Sequence, residues 1–218
     1  MKTEQNILQT AFRLFLGKGF SDISTNEIIR EAGATKGGFY YCFKSREDLV
    51  LKVIDRYLKP YYLCPIERME QVWENKRVDM STRTLLWEGF FAPQRFKAYQ
   101  EYAGMDIAFR DFYFLLYEGM KKYEEVEHYF AENTRKRELC LRRILERGKE
   151  RKEIPADANL DSCIVMTLAM QDGILALKVL DDKIDDEEKY RYMEKQMWKD
   201  LVGQEAYGPY LDGGVESA

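Results

Sequence analysis

The chain has 218 residues, a net charge of −4 and an isoelectric point of about 5.4. With 45% hydrophobic and 33% charged residues it is not a wholly disordered chain, and 5 Pro and 14 Gly exclude collagen-like and Pro-rich linker classes. The length suits one or two domains, and the acidic balance excludes a protein that coats nucleic acid by bulk charge, so any DNA binding must come from a local patch.

The pattern is helical almost throughout. Ile7, Leu8, Ala11, Phe12, Phe15 and Leu16 recur on one helix face. Gly17 and Gly19 are expected to stop that helix. Ser24, three residues before Glu27, carries the capping-box signature of a helix over 25–32, broken by Gly33. Thr35 is the expected N-cap of a short segment from Lys36 to Phe43. Ser45 and Asp48 then open a longer helix bearing Leu49, Val50, Val53, Ile54, Tyr57 and Leu58. Pro60 and Pro65 predict a kink or break. Further helices are expected at 66–76, 82–91, 95–102, 106–121, 123–151, 157–181 and 186–202. Pro155 with Asp157 marks one start, and the Asp181–Asp186 run marks a connection. Residues 203–218, with Gly203, Gly208, Pro209, Gly213 and Gly214, read as an irregular, partly mobile tail. No alternating strand pattern and no internal repeat is visible. The fold class is all-α.

Residues 1–50 hold seven basic and six acidic side chains, a balance of +1, which leaves −5 for the remainder. Cys42, Cys64, Cys140 and Cys163 form no C-x-x-C pair and read as small buried hydrophobes in a reducing cytoplasm. Met1 to Thr10 is polar and lacks the apolar core of a signal peptide. The longest strongly apolar run, Cys163 to Met170, is far short of the roughly 20 residues of a membrane helix. The expected location is the cytoplasm, with no membrane partner.

Three helices of unequal length in the first 50 residues, the second and third joined by a tight Gly-containing turn, describe a helix-turn-helix unit. Its short third helix is the expected reader. Thr35, Lys36, Gly37 and Gly38 begin it with small or cationic side chains, which let a helix end approach a duplex and favour a phosphate there. Tyr40 and Tyr41 can donate O–H to phosphate oxygens. Lys44 and Arg46 are placed to hold the backbone on the other side of the groove, and Ser24 and Thr25 offer hydroxyls to the opposite strand. Phe39 and Phe43 are expected in the core.

The run Gly19-Phe20, then Ser24 through Gly33-Ala34-Thr35-Lys36-Gly37-Gly38-Phe39-Tyr40-Tyr41-Cys42-Phe43-Lys44-Ser45-Arg46-Glu47-Asp48-Leu49, resembles the N-terminal domain of the TetR family of bacterial repressors. The likeness covers about residues 3–55. It implies DNA contacts at Ser24, Thr25, Thr35, Lys36, Gly37, Gly38, Tyr40, Tyr41 and Lys44. Relatives often carry a side chain at the position of Gly38, so base discrimination here is expected to rest on Lys36, Tyr41 and DNA shape. Cys42 stands where His or Tyr is common. The resemblance further implies three parts: a helix-turn-helix DNA-binding domain over 1–48, a larger helical effector-binding and dimerisation domain over 49–202, and the tail 203–218.

Between Trp87 and Phe130 lie 14 of the chain's 30 aromatic residues. Such density fits either a tightly packed core or a pocket for a small hydrophobic or aromatic effector. The candidate lining is Trp87, Phe91, Phe109, Phe112, Tyr113, Leu116, Tyr117 and Met120, with Met166 and Met170 opposing. The helix at 157–181 is apolar on more than one face, so it needs two partners, and in the resembled family the last two helices pair across a homodimer. The expected function is a ligand-responsive repressor on a palindromic operator, with no cofactor, no catalytic or metal site, and the arm from Arg46 to Lys59 coupling effector to reader. Two alternatives stand beside it. One is a DNA-associated protein whose C-terminal domain binds a protein partner. The other is an all-α Mg²⁺-dependent enzyme using Asp181–Asp186, where Asp185 as an N-cap is the plainer reading. His128, the single histidine, argues against His-based metal sites.

Overall fold

The computed structural model describes residues 2–61, 80–91, 95–181, 184 and 187–203, and among them every regular element is helical. The helices are α1 (Lys2–Lys18), α2 (Thr25–Glu31), α3 (Lys36–Cys42) and α4 (Arg46–Val53), the last continued by a π-helical turn, Ile54–Leu58. Then come α5 (Thr82–Leu86) with a second π-helical turn, Trp87–Phe91, α6 (Arg95–Ala103), α7 (Phe109–Lys122), α8 (Glu124–Glu150), α9 (Leu160–Leu180) and α10 (Glu187–Val202). The chain forms two compact units, residues 1–64 with 94–134 and residues 65–93 with 135–218.

In the first unit the apolar stripe read on α1 is the buried face: Ile7, Ala11, Phe12 and Phe15 are inaccessible. Phe12 stacks on Tyr57 at 4.4 Å with rings 3° from parallel. Burying side chains of this size removes enough apolar surface to contribute about 1.5–3 kcal/mol each. Gly17 lies inside α1 rather than ending it, since nothing in that turn demands a left-handed residue. The stop is Gly19, at φ 79°, whose N–H donates to the Phe15 carbonyl.

Ser24, Thr35 and Ser45 cap α2, α3 and α4 through hydroxyl oxygens that accept from Glu27, Gly38 and Asp48 N–H respectively. Pro60 does not end its helix. The backbone stays helical through Tyr61, and the wide turn at Ile54–Leu58 lies just before the proline, whose missing N–H leaves a gap in the ladder. Pro65, Cys64 and the helix expected at 66–76 lie outside the described residues.

The second unit is built on Leu85, Leu86, Phe91, Leu141, Ile144, Leu145, Ile154, Ile164, Met197 and Trp198, all buried. Arg83 grips Glu194 with two bonds of 2.6 and 3.0 Å. Arg137 donates to Gln171 at 2.7 Å and to Asp172 at 3.1 Å, and Gln171 donates in turn to the Phe90 carbonyl in the π-helical turn. These linked bonds end on a backbone carbonyl of that irregular turn.

Helix α9 starts later than Pro155 and Asp157 suggested. Those residues form a turn, and the N-cap is Asn159, whose side chain accepts from Ser162 N–H at 3.1 Å. The eight-residue run read at Cys163–Met170 belongs to this 21-residue helix, which by length and composition alone is apolar enough to cross a membrane. The difference arises because Ser162 on one side and Gln171 and Asp172 on the other bound the run without making the helix polar. Cys163, Ile164, Thr167, Gln171 and Ile174 are its buried positions. Cys163 is buried as expected, whereas Cys42 and Cys140 are half-buried. Asp185 and residues 204–218 lie outside the described residues.

Candidate nucleic-acid interface

Helix α3 is held from below and displayed from above. Phe39 and Phe43, four residues apart, point inward and are fully buried, with ring centroids 5.3 Å apart. The opposite face therefore carries Lys36, Gly37, Tyr40, Tyr41 and Lys44 at helical spacing, all exposed. Tyr40 is 59% and Tyr41 92% accessible, an unusual cost for two large aromatic side chains that have no core to reach. The turn before α3 needs Gly33, at φ 60°, and Asn6 of α1 donates to the Ala32 carbonyl at 2.7 Å, tying that turn to the unit.

Thr35 Oγ1 accepts from Gly38 N–H at 3.0 Å, and Ser24 Oγ accepts from Glu27 N–H at 3.1 Å. Each hydroxyl keeps its own hydrogen for an outside acceptor, so a cap and a phosphate contact are compatible at both positions. Thr25 is half-buried at the first turn of α2. Glu27 pairs with Lys18 at 2.9 Å, and that bond with its charge holds the carboxyl below its ordinary range. Gly37 has open space where a side chain would stand, whereas a Cβ at Gly38 would lie 3.2 Å from Thr35 Oγ1.

Arg46 departs from expectation. Its guanidinium turns inward, donating to Ile23 O at 3.0 Å and to Phe20 O, so it fastens the loop before α2 instead of facing a groove. Lys52 likewise donates to the Cys42 carbonyl at 3.0 Å and sits over the Phe43 ring. Sequence spacing cannot show either contact, because the partners lie ten or more residues away.

The candidate effector residues fall into both units. On α7, Phe109, Phe112 and Leu116 are buried, Tyr113 and Met120 are half-buried, and Tyr117 is more than half exposed with its hydroxyl 3.1 Å from that of Tyr113. Phe109 and Phe112 pack with Phe96, Tyr99 and Tyr61, residues outside the expected lining, at centroid distances of 4.9–5.7 Å. Tyr99 donates to the Tyr57 carbonyl, and burial raises its phenol above the ordinary value. In the second unit Phe91 is buried, Met170 packs against the core, Trp87 lies under the Arg191 guanidinium at 4.6 Å, and Met166 is exposed. Of the acidic run, Asp181 is the exposed C-cap of α9. His128 is exposed. No cluster with metal-ligand composition occurs among the described residues.

Residues 7–53 match the family model for bacterial regulatory proteins of the tetR family. The chain is 42% identical over 55 residues to the HTH-type transcriptional regulator YerO of Bacillus subtilis (strain 168). That match spans 25% of this chain and 19% of the relative, so the likeness to this relative is confined to about a fifth of its length. The fold is similar to SmeT, the repressor of the Stenotrophomonas maltophilia multidrug efflux pump SmeDEF, with a TM-score of 0.65 at 16% identity, covering 98% of this chain and 96% of that one. The SmeT–triclosan complex gives a TM-score of 0.64 at 17% identity, covering 100% and 99%. A capped, outward-facing α3 and the match over residues 7–53 agree: this N-terminal segment is similar to the bacterial regulatory proteins of the tetR family, and the all-helical fold along the whole chain is similar to that of SmeT.

Proposed function

We propose that this chain is a repressor that binds a palindromic DNA operator as a homodimer and is released by a small hydrophobic or aromatic effector. The observation that carries it is the exposed face of α3, where Lys36, Tyr40, Tyr41 and Lys44 surround a capped helix start while Phe39 and Phe43 anchor the other side. Residues 1–48 are the DNA-binding part. Ser24, Thr25, Thr35, Lys36, Gly37, Gly38, Tyr40, Tyr41 and Lys44 are the contacts, with phosphates taking the hydroxyls and ammonium groups.

Residues 49–202 hold the effector and the dimer surface. Val165 (66% accessible), Met166, Leu177 and Leu180 (83%) leave one side of α9 apolar and uncovered, and a second copy of the chain is the partner that suits it. Two reader helices then meet half-sites about 34–36 Å apart, or a multiple of that distance. The aromatic residues of α7 supply a surface for an effector, in keeping with the SmeT–triclosan complex among proteins of this fold. Selection of bound DNA from a random pool, with light scattering on the recovered complex, tests the reading. A two-fold symmetric site with two chains per duplex is expected, and failure to enrich any sequence contradicts it.

A further inference from the structure

The loop from Gly19 to Ile23, between α1 and α2, is gripped from two sides. Arg46, the first residue of α4, takes the carbonyls of Phe20 and Ile23. Glu118, in the middle of α7, takes the other side. Its carboxylate accepts the Phe20 N–H at 2.9 Å, the Ser21 hydroxyl at 2.9 Å and the Lys122 ammonium at 2.8 Å. The peptide groups flanking Phe20 are thus tied at their N–H to one helix and at their carbonyl to another. The backbone is shaped to allow this: Gly19 stands at φ 79°, and a Cβ there would fall 2.5 Å from Glu118 Oε2. Next to Glu118, Gly119 lies against the Phe20 ring, which is fully buried and meets Tyr123 edge-on at 5.9 Å.

The loop leads directly into Ser24 and Thr25, where α2 begins. Glu118 lies outside the helix-turn-helix segment, on the helix that carries Phe109, Phe112 and Leu116. We propose that Glu118 is a positioning residue for operator binding: by holding Phe20 and Ser21 it sets where the start of α2 stands, and α7 thereby governs the phosphate contacts of Ser24 and Thr25. This rests on the DNA-binding reading above. A carboxylate with three donors at 2.8–2.9 Å forms charge-assisted bonds, stronger than neutral ones and directional. Burial opposes ionisation of Glu118, yet the bonds from Lys122, Phe20 and Ser21 outweigh it and keep the carboxyl below its ordinary range.

The experiment uses the full chain and the DNA that the wild-type protein enriches from a random pool. If no DNA is enriched, the DNA-binding reading itself fails and the positioning role falls with it. With that DNA in hand, affinities are measured by fluorescence anisotropy for Glu118→Ala, Thr25→Val, Lys36→Ala and the two double variants containing Glu118→Ala, each checked by thermal melting. Glu118→Ala is expected to weaken binding about tenfold, the scale of one charge-assisted hydrogen bond. It is expected to be non-additive with Thr25→Val by about threefold or more, yet additive with Lys36→Ala, since only the former shares the loop. A role confined to overall stability would couple equally to both. Affinity within about twofold of wild type, or equal coupling to Thr25 and Lys36, overturns the proposal. Should Glu118→Ala not fold, Ser21→Ala, which removes a single donor, takes its place in the same cycles with about a threefold loss expected, and full additivity with Thr25→Val then overturns it.

Discussion

The hydroxyl oxygen of Thr35 accepts the Gly38 amide hydrogen across 3.0 Å, and this bond fixes the start of the helix on which Lys36 and Tyr40 are displayed. Thr35→Ala leaves that N–H without its cap and is expected to lower stability by about 1 kcal/mol, whereas Thr35→Ser keeps the oxygen and most of the stability. Urea unfolding of the two variants beside wild type checks the difference.

Two glycines inside helices are expected to respond to alanine with opposite signs. A Cβ at Gly119 would meet Phe20 and Val126 at 3.5 and 3.6 Å, ordinary contact distances, so the gain in helix propensity prevails. Gly119→Ala should stabilise by up to about 1 kcal/mol. A Cβ at Gly148 would stand 2.6 Å from Ile154 Cδ1 and 2.8 Å from Thr82 Oγ1, both on buried residues with little room to move. Gly148→Ala should destabilise by about 1–3 kcal/mol. Calorimetry on the pair reads both signs directly.

Lys152 ends α8 in the left-handed region, at φ 60°, while Glu153 and Ile154 N–H return to the Gly148 carbonyl at 2.9 and 3.2 Å. This is the position where glycine ordinarily closes a helix. Lys152→Gly should therefore raise stability by about 0.5–1 kcal/mol, relief of the side-chain strain exceeding the entropy glycine adds to the unfolded chain. An unchanged or lower melting temperature would contradict it.

The described cysteines should separate by reactivity. Burial pushes the Cys163 thiol up to about 11, only partly offset by Thr167, so almost no thiolate is present near neutrality. Cys42, at the end of α3, is half-buried. Timed alkylation at pH 8 with peptide mass mapping should label Cys42 well before Cys163, and equal rates would argue against the burial of α9 around Cys163.

Much of the first unit was legible because its signals are local. Ser24, Thr35 and Ser45 are caps at the spacing that caps require, and Phe39 and Phe43 read as an inward pair from their four-residue interval. Local signals also misplaced two boundaries. Pro155 and Asp157 resemble a helix start, yet Asn159 offers an equally good cap two residues later and the turn at 155–158 uses the proline. Gly17 resembles a stop, but only Gly19 takes the backbone that requires glycine. Arg46 and Glu118 were illegible for another reason. Arg46 reads as a cation placed to hold the DNA backbone, and Glu118 carries no local signal, because the Phe20 loop that meets them lies 26 and 98 residues away.

The claim that α3 is the DNA reader is tested most directly by measuring binding of the selected DNA across a salt series for wild type, Lys36→Ala and Tyr40→Phe. Lys36→Ala should weaken binding and lower the salt slope by about 1, the loss of one phosphate contact. Tyr40→Phe should weaken binding with the slope unchanged, and both variants should melt with wild type, since both side chains are exposed. Wild-type affinity and slope in both variants would contradict the assignment.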